Sequence, residues 1–177
     1  PPVIRGDVPL SAIAPADWDA IAGGHPFLRH AFLSALHDSG CASAATGWTP
    51  RYVTAWEGSA LVGAMPLYAK AHSYGEYVFD WGWADAYRRH GMRYYPKLVA
   101  AVPFTPFTGP RLIGRDATTR RALLDGQVTY YGGYAGPVER LEGLLRQAFT
   151  AAPQYYEVHV WQDWIGGQIA AYDGAWY

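Results

Sequence analysis

SYGEYVFDWGWADAYRRHGMRYYPKLVAAVPFTPFTGPR, residues 73–111, packs aromatic rings around Asp80, Asp85, Arg88, Arg89, His90, Arg93 and Lys97, between two segments that read as strands. A plain core has no use for that mixture, because burying a charge without a partner costs several kcal/mol or more. Chemistry or ligand recognition does need it. Within the stretch, Tyr77–Asp80 reads as a strand, Trp83–His90 as a short helix and Leu98–Phe104 as an apolar strand. Pro103, Pro106, Gly109 and Pro110 make a rigid connection, after which Arg111–Ile113 resumes extended structure.

Upstream, residues 1–14 form an extended lead-in with one short strand. Pro15 opens a short helix over Ala16–Ala22, with Trp18 and Ile21 on one side, and Gly23 and Gly24 stop it. A longer helix is expected over Pro26–Asp38, ending at Gly40, with Leu28, Ala31, Phe32, Ala35 and Leu36 as its apolar stripe. His30 and His37 fall on the opposite face, two turns or roughly 10 Å apart. They read as solvated histidines, not as ligands of one metal ion. Arg51–Trp56 and Ala60–Lys70 flank the turn Glu57-Gly58-Ser59 as a hairpin, and Pro66 marks a bulge or an exposed edge in its second strand.

Downstream, Thr118–Asp125 and the amphipathic Pro137–Thr150 read as helices, and Tyr155–Trp161 as a strand. Residues 127–136 and the tail 162–177, rich in Gly and aromatics, carry no assignment. No repeat or linker divides the chain. Residues 1–177 are therefore expected to form one domain of mixed α/β (α+β) class, with a mainly antiparallel sheet flanked by helices.

The composition narrows the function. A formal net charge of −1 argues against a partner held chiefly through nucleic-acid phosphates. The single Cys41 rules out an internal disulfide and a cysteine-based metal cluster, and no metal site is expected. No run reaches the roughly 20 apolar residues that a membrane span needs, so no membrane insertion and a cytoplasmic location are expected. The start at Pro1 without Met reads as a trimmed or partial chain. Walker, dinucleotide-binding, zincin, nucleophile-elbow and kinase motifs are all missing.

Against that background a few residues stand out. Asp80 ends a strand beside Trp81 and Trp83, where a carboxylate serves as a general base and the indoles line a substrate. Asp85 instead suits a first helical turn, four residues before Arg89. Arg88 and Arg89 suit a solvated helix face. Lys97, one of only two lysines with Lys70, stands just before an apolar strand and is the cation placed to hold an anionic substrate group. Gly109, Arg111, Gly114 and Arg115 precede a helix in an Arg-x-x-Gly pattern that offers backbone N–H groups to phosphates, although Asp116 follows where a small residue is wanted. His72 and Ser73, adjacent on an extended segment, point apart, so His72 does not activate Ser73.

The segments 73–87, 93–98 and 102–112, together with Pro26–Leu36 and Gly63–Tyr68, closely resemble a bacterial FemAB-like family of N-acyltransferases, over about residues 15–115. The resemblance implies a GNAT-like domain, the first of two on a longer chain, with a second such half or a homodimer partner completing it. It implies transfer of an acyl or aminoacyl group from acyl-CoA or aminoacyl-tRNA to the amine of a small molecule or peptide. On it, Asp80 is the base, Tyr95 protonates the leaving group, Lys97 holds an anion, and Arg111 with Gly114 meets the donor phosphates. Two other readings stand beside it. One is a non-catalytic domain recognising a peptidoglycan precursor or nucleotide sugar. The other is an interaction domain whose aromatic face docks on a second half.

Overall fold

The computed structural model describes residues 1–76, 79–91, 93–107, 109–131, 158–160 and 171–173. Its spine is one long two-stranded ribbon. Trp48–Pro50 (β2) pairs with Leu67–Lys70 (β5), and Val53–Glu57 (β3) pairs with Ala60–Met65 (β4), both antiparallel. The register continues across the gap between the two halves: Pro50 faces Tyr68, and Val53 faces Met65. Between them Pro66 has no N–H to give to the ladder, while the Arg51 N–H still donates to the Leu67 carbonyl at 2.7 Å. Pro66 is thus the point at which the chain passes from one sheet to the other. The second strand does carry a bulge, but away from the proline: Val62 of β4 is the extra residue, where Ala55 and Trp56 of β3 face Gly63 and Leu61.

Each half of the ribbon seeds its own sheet. Val3–Gly6 (β1) and Ile113–Gly114 (β7) flank β3 and β4, giving the order β1-β3-β4-β7. Lys97–Ala100 (β6), Val158–Val160 (β8) and Ala171–Asp173 (β9) extend the other half in the order β2-β5-β6-β8-β9. Every pairing among the described residues is antiparallel. β8 falls inside the expected strand Tyr155–Trp161, and β9 falls in the unassigned tail. The helix expected over Pro137–Thr150 lies outside the described residues. So do Tyr77 and Val78 of the strand expected over Tyr77–Asp80, while Phe79 and Asp80 are not in a strand.

Helices cover the ribbon. Pro15–Ile21 (α1) has Pro at its first turn and buries Trp18, whose indole N–H donates to the Leu28 carbonyl at 2.7 Å and whose ring stacks on Tyr52. The longer helix expected over Pro26–Asp38 is two elements. Pro26–Leu28 forms a single 3-10 turn, Arg29 is extended, and His30–Asp38 (α2) begins after it. The Asp19 carboxylate accepts the His30 N–H at 2.8 Å, so α1 supplies the acceptor at the start of α2.

The histidines of α2 do not lie on a solvated face: His30 is buried and His37 half-buried. His30 Nε2 bonds the Leu10 carbonyl at 3.1 Å; His37 Nε2 bonds the Tyr68 hydroxyl at 3.0 Å. With partners for its ring nitrogens, an imidazole can occupy the buried face, so that face is rotated toward His30, Leu33 and His37, and Ala31 and Ala35 are exposed.

Trp18, Leu28, Leu33, Trp48, Tyr52 and Tyr68 belong to one core cluster. A second holds Val53, Ala55, Val62, Met65, Leu67 and Leu123, and Ala117–Tyr131 (α4) closes over β1, β3 and β4. The close approach of α4 depends on Gly63. A Cβ there would stand 2.6 Å from Thr119 Cγ2 and 3.0 Å from the Ile113 carbonyl oxygen. Among the described residues no helix is long and apolar enough to cross a membrane.

Candidate functional site

Lys70 and Lys97 face each other directly across the β5–β6 ladder. Two ammonium groups at such a pair repel, and both side chains are buried. Two carboxylates resolve the conflict. Lys97 Nζ donates to Glu76 Oε2 at 2.6 Å and to Asp80 Oδ2, and Lys70 Nζ lies 3.9 Å from Glu76 Oε1. Glu76 therefore spans both lysines, and Asp80 balances the second charge. Lys70 Nζ also donates to the Tyr74 carbonyl at 2.9 Å and sits 3.9 Å above the centre of the Trp48 ring. The result is a buried group of two cations and two anions whose formal charges cancel, the condition under which ions tolerate a low-dielectric interior.

Asp80 stands at the N-cap of Trp81–Arg89 (α3), a position its residue type favours, yet its side chain makes no capping bond. It is used elsewhere. Oδ1 accepts from the Ser73 hydroxyl and from Tyr95 at 3.1 Å, and Oδ2 accepts from Tyr94 at 2.5 Å as well as from Lys97. Ser73 Oγ and the Tyr95 hydroxyl are 2.7 Å apart, which closes a ring of polar contacts. Tyr95 is half-buried. Burial, ahead of the nearby Asp80 charge and against the Ser73 hydrogen bond, pushes its phenol up to about 12, so it is a proton donor at neutral pH.

Outside this group lies an open groove of about 460 Å³, lined by Trp81, Ala84, Asp85, Arg88, Arg93, Tyr94 and Tyr95. The groove exists because Gly91, at φ +71°, reverses the chain after α3 and leads Arg93–Tyr95 back beside the helix. Tyr94 packs edge-on against Tyr87 of that helix, with ring centres 5.2 Å apart. Tyr95 belongs both to the groove wall and to the buried network, and so connects the two. Trp81 also belongs to an exposed aromatic row. Its ring stacks on Phe79 at 4.9 Å and meets Tyr74 at 6.0 Å, and Trp81 and Trp83 are each 53% exposed.

Of the residues expected to act together, Asp80, Tyr95 and Lys97 do meet in the buried network; of these Tyr95 also lines the groove, with Trp81 but without Trp83. Asp85 is a surface residue held by Arg89 and Arg88, which keep its carboxyl below the usual aspartate range. The proposed phosphate loop lies elsewhere. Gly114 pairs with Gly63 and Lys97 with Lys70, so seven residues of β4–β5, roughly 23 Å of extended chain, separate the two places. There Arg111 is buried and donates to the carbonyls of Phe107 at 2.9 Å and Gly109 at 3.1 Å, bracing its own loop. Arg115 pairs with Glu57 and Asp116. Asp116 Oδ1 accepts the Thr119 N–H at 2.7 Å at the start of α4, which draws its carboxyl down to about 2.

Sequence reasoning missed Glu76, Tyr94, Lys70 and the polar role of Ser73. One signal for Lys70 was present, since the only two lysines each border a strand. Nothing in the linear order says that those strands pair with the lysines opposed.

The described residues form an α+β fold in which two antiparallel sheets share one ribbon and a cationic, aromatic groove is backed by buried charge. Residues 9–139 match the model of the FemAB-like family, described as peptidoglycan biosynthesis/recognition, and the chain belongs to that family. Neither the curated proteins nor the solved structures give a match.

Proposed function

We propose that this chain transfers an acyl or aminoacyl group to an amine, in the peptidoglycan-related chemistry of its family, with the groove beside α3 as the acceptor site. The observation that carries this reading is Tyr95, a protonated phenol at the groove wall whose hydroxyl is wired through Ser73 to a buried carboxylate. The amine nitrogen attacks the carbonyl carbon, and the C–S bond of a thioester or the C–O bond of an ester breaks. Tyr95 gives its proton to the departing sulfur or oxygen. The proton lost by the amine is taken up at the Tyr95 oxygen as the phenol gives its own proton away, so Tyr95 ends each cycle unchanged, while Ser73 and Asp80 hold its hydroxyl in position. Lys97 holds Asp80 in place for this exchange.

Acyl-CoA and aminoacyl-tRNA both remain candidate donors. The start of α4 does not fit their phosphates, because the Asp116 carboxylate already occupies it and Arg111 and Arg115 are engaged. The proposal therefore concerns only the acyl end of the donor. Tyr95→Phe keeps the ring and removes the proton. It is expected to lower kcat about a hundredfold with little change in KM, read as mass-detected transfer to a lysine-bearing peptide acceptor. A kcat within about threefold of the parent would rule out Tyr95 as the acid.

The exposed row of Tyr74, Phe79 and Trp81 favours a second reading, recognition of a peptidoglycan fragment without turnover. Thermal stabilisation by a muropeptide alone, with no response to either acyl donor, would favour recognition over transfer.

A further inference from the structure

The groove contains more positive charge than its neighbours neutralise. Among the described residues Asp85 is the one acidic residue lining it, and that carboxylate is already shared between Arg88 and Arg89. Arg93 also lines the groove, is exposed, and makes no hydrogen bond or ion pair among the described residues. It stands two residues before Tyr95, and both side chains line the same groove. Trp81, Ala84 and the ring of Tyr94 make the remaining wall largely apolar.

From this arrangement we infer that the acceptor carries a carboxylate as well as its amine, and that Arg93 is the residue that selects for it. The guanidinium fork pairs with a carboxylate through two parallel hydrogen bonds, which fixes orientation as well as charge. Arg88 is already paired with Asp85, so the fork offered at this wall is that of Arg93, which matches the two oxygens of a carboxylate. With its carboxylate held at Arg93 and its body against Trp81, the ligand presents its amine toward Tyr95. The inference rests on the groove being the acceptor site of the transfer reading, but the selectivity itself is a binding property and is measured without turnover.

Nα-acetyl-lysine and Nα-acetyl-lysinamide carry the same amine and differ in the carboxylate. Titrated into the full chain and followed by NMR, the acid is expected to bind about tenfold more tightly than the amide. Arg93→Ala should erase that difference and Arg93→Lys should keep part of it. Because Arg93 is exposed and makes no hydrogen bond or ion pair among the described residues, its variants should melt with the parent. Equal affinity for the two probes, no binding of either, or discrimination that survives Arg93→Ala would overturn the inference. The failures of the two proposals are separable. Discrimination without transfer to any amine would sink the transfer reading and keep this one. Equal transfer to acid and amide would do the reverse.

Discussion

Lys97 shows how much one side chain carries here. Its ammonium is held by Asp80 and Glu76 with almost no solvent contact, so deleting it leaves buried carboxylates short of a cation. Lys97→Met is expected to destabilise the fold by about 3–5 kcal/mol in urea unfolding. The double variant Lys97→Met/Asp80→Asn leaves Lys70 and Glu76 to balance each other, and should be less destabilised than the Lys97 single variant. His37 gives a pH test. Burial holds its imidazole below the usual histidine value, with His30 adding to this and Asp38 opposing it, while the Tyr68 and Tyr52 hydroxyls face the ring. In that case the unfolded chain takes up the proton first as pH falls. The contribution of His37 is therefore complete above about pH 6.5 and declines below it. Denaturant midpoints from pH 7.5 to 5 should fall less steeply for His37→Gln than for the parent.

Among the elements, the contact of α4 with β4 and β7 is tightly specified. Gly63 leaves room for Thr119 and Leu123, and a methyl group there would meet a β-branched side chain and a backbone oxygen, neither of which yields readily. Gly63→Ala is expected to cost about 1–3 kcal/mol, measured as a lowered denaturant midpoint. Most elements were legible because their signals are local. The turn at Gly58, the proline opening α1 and the apolar run at Leu98 act through neighbouring residues. The errors arose where distant partners decide. Arg29 breaks the expected long helix while Asp19 meets the N–H of His30, and both α2 histidines turn inward because Leu10 and Tyr68 offer them hydrogen-bond partners.

For the molecule as a whole, the placement of lysine makes a direct prediction. Both lysines of the chain are buried, at 0% and 4% exposure. An amine-selective acylating reagent should leave Lys70 and Lys97 unmodified in the native protein and modify both after denaturation, as peptide mass spectrometry would show. Modification of Lys97 in the native state would contradict the buried network. By itself the sequence determined the α+β class, the hairpin, the family resemblance and the candidacy of Asp80, Tyr95 and Lys97, because residue types, turn signals and periodicity are properties of neighbours along the chain. Only the tertiary structure decided that Lys70 opposes Lys97, that Glu76 and Asp80 answer them, and that Gly114 lies seven strand residues away. Those facts depend on strand register and on which charges share one desolvated space, and both arise from contacts between distant parts of the chain.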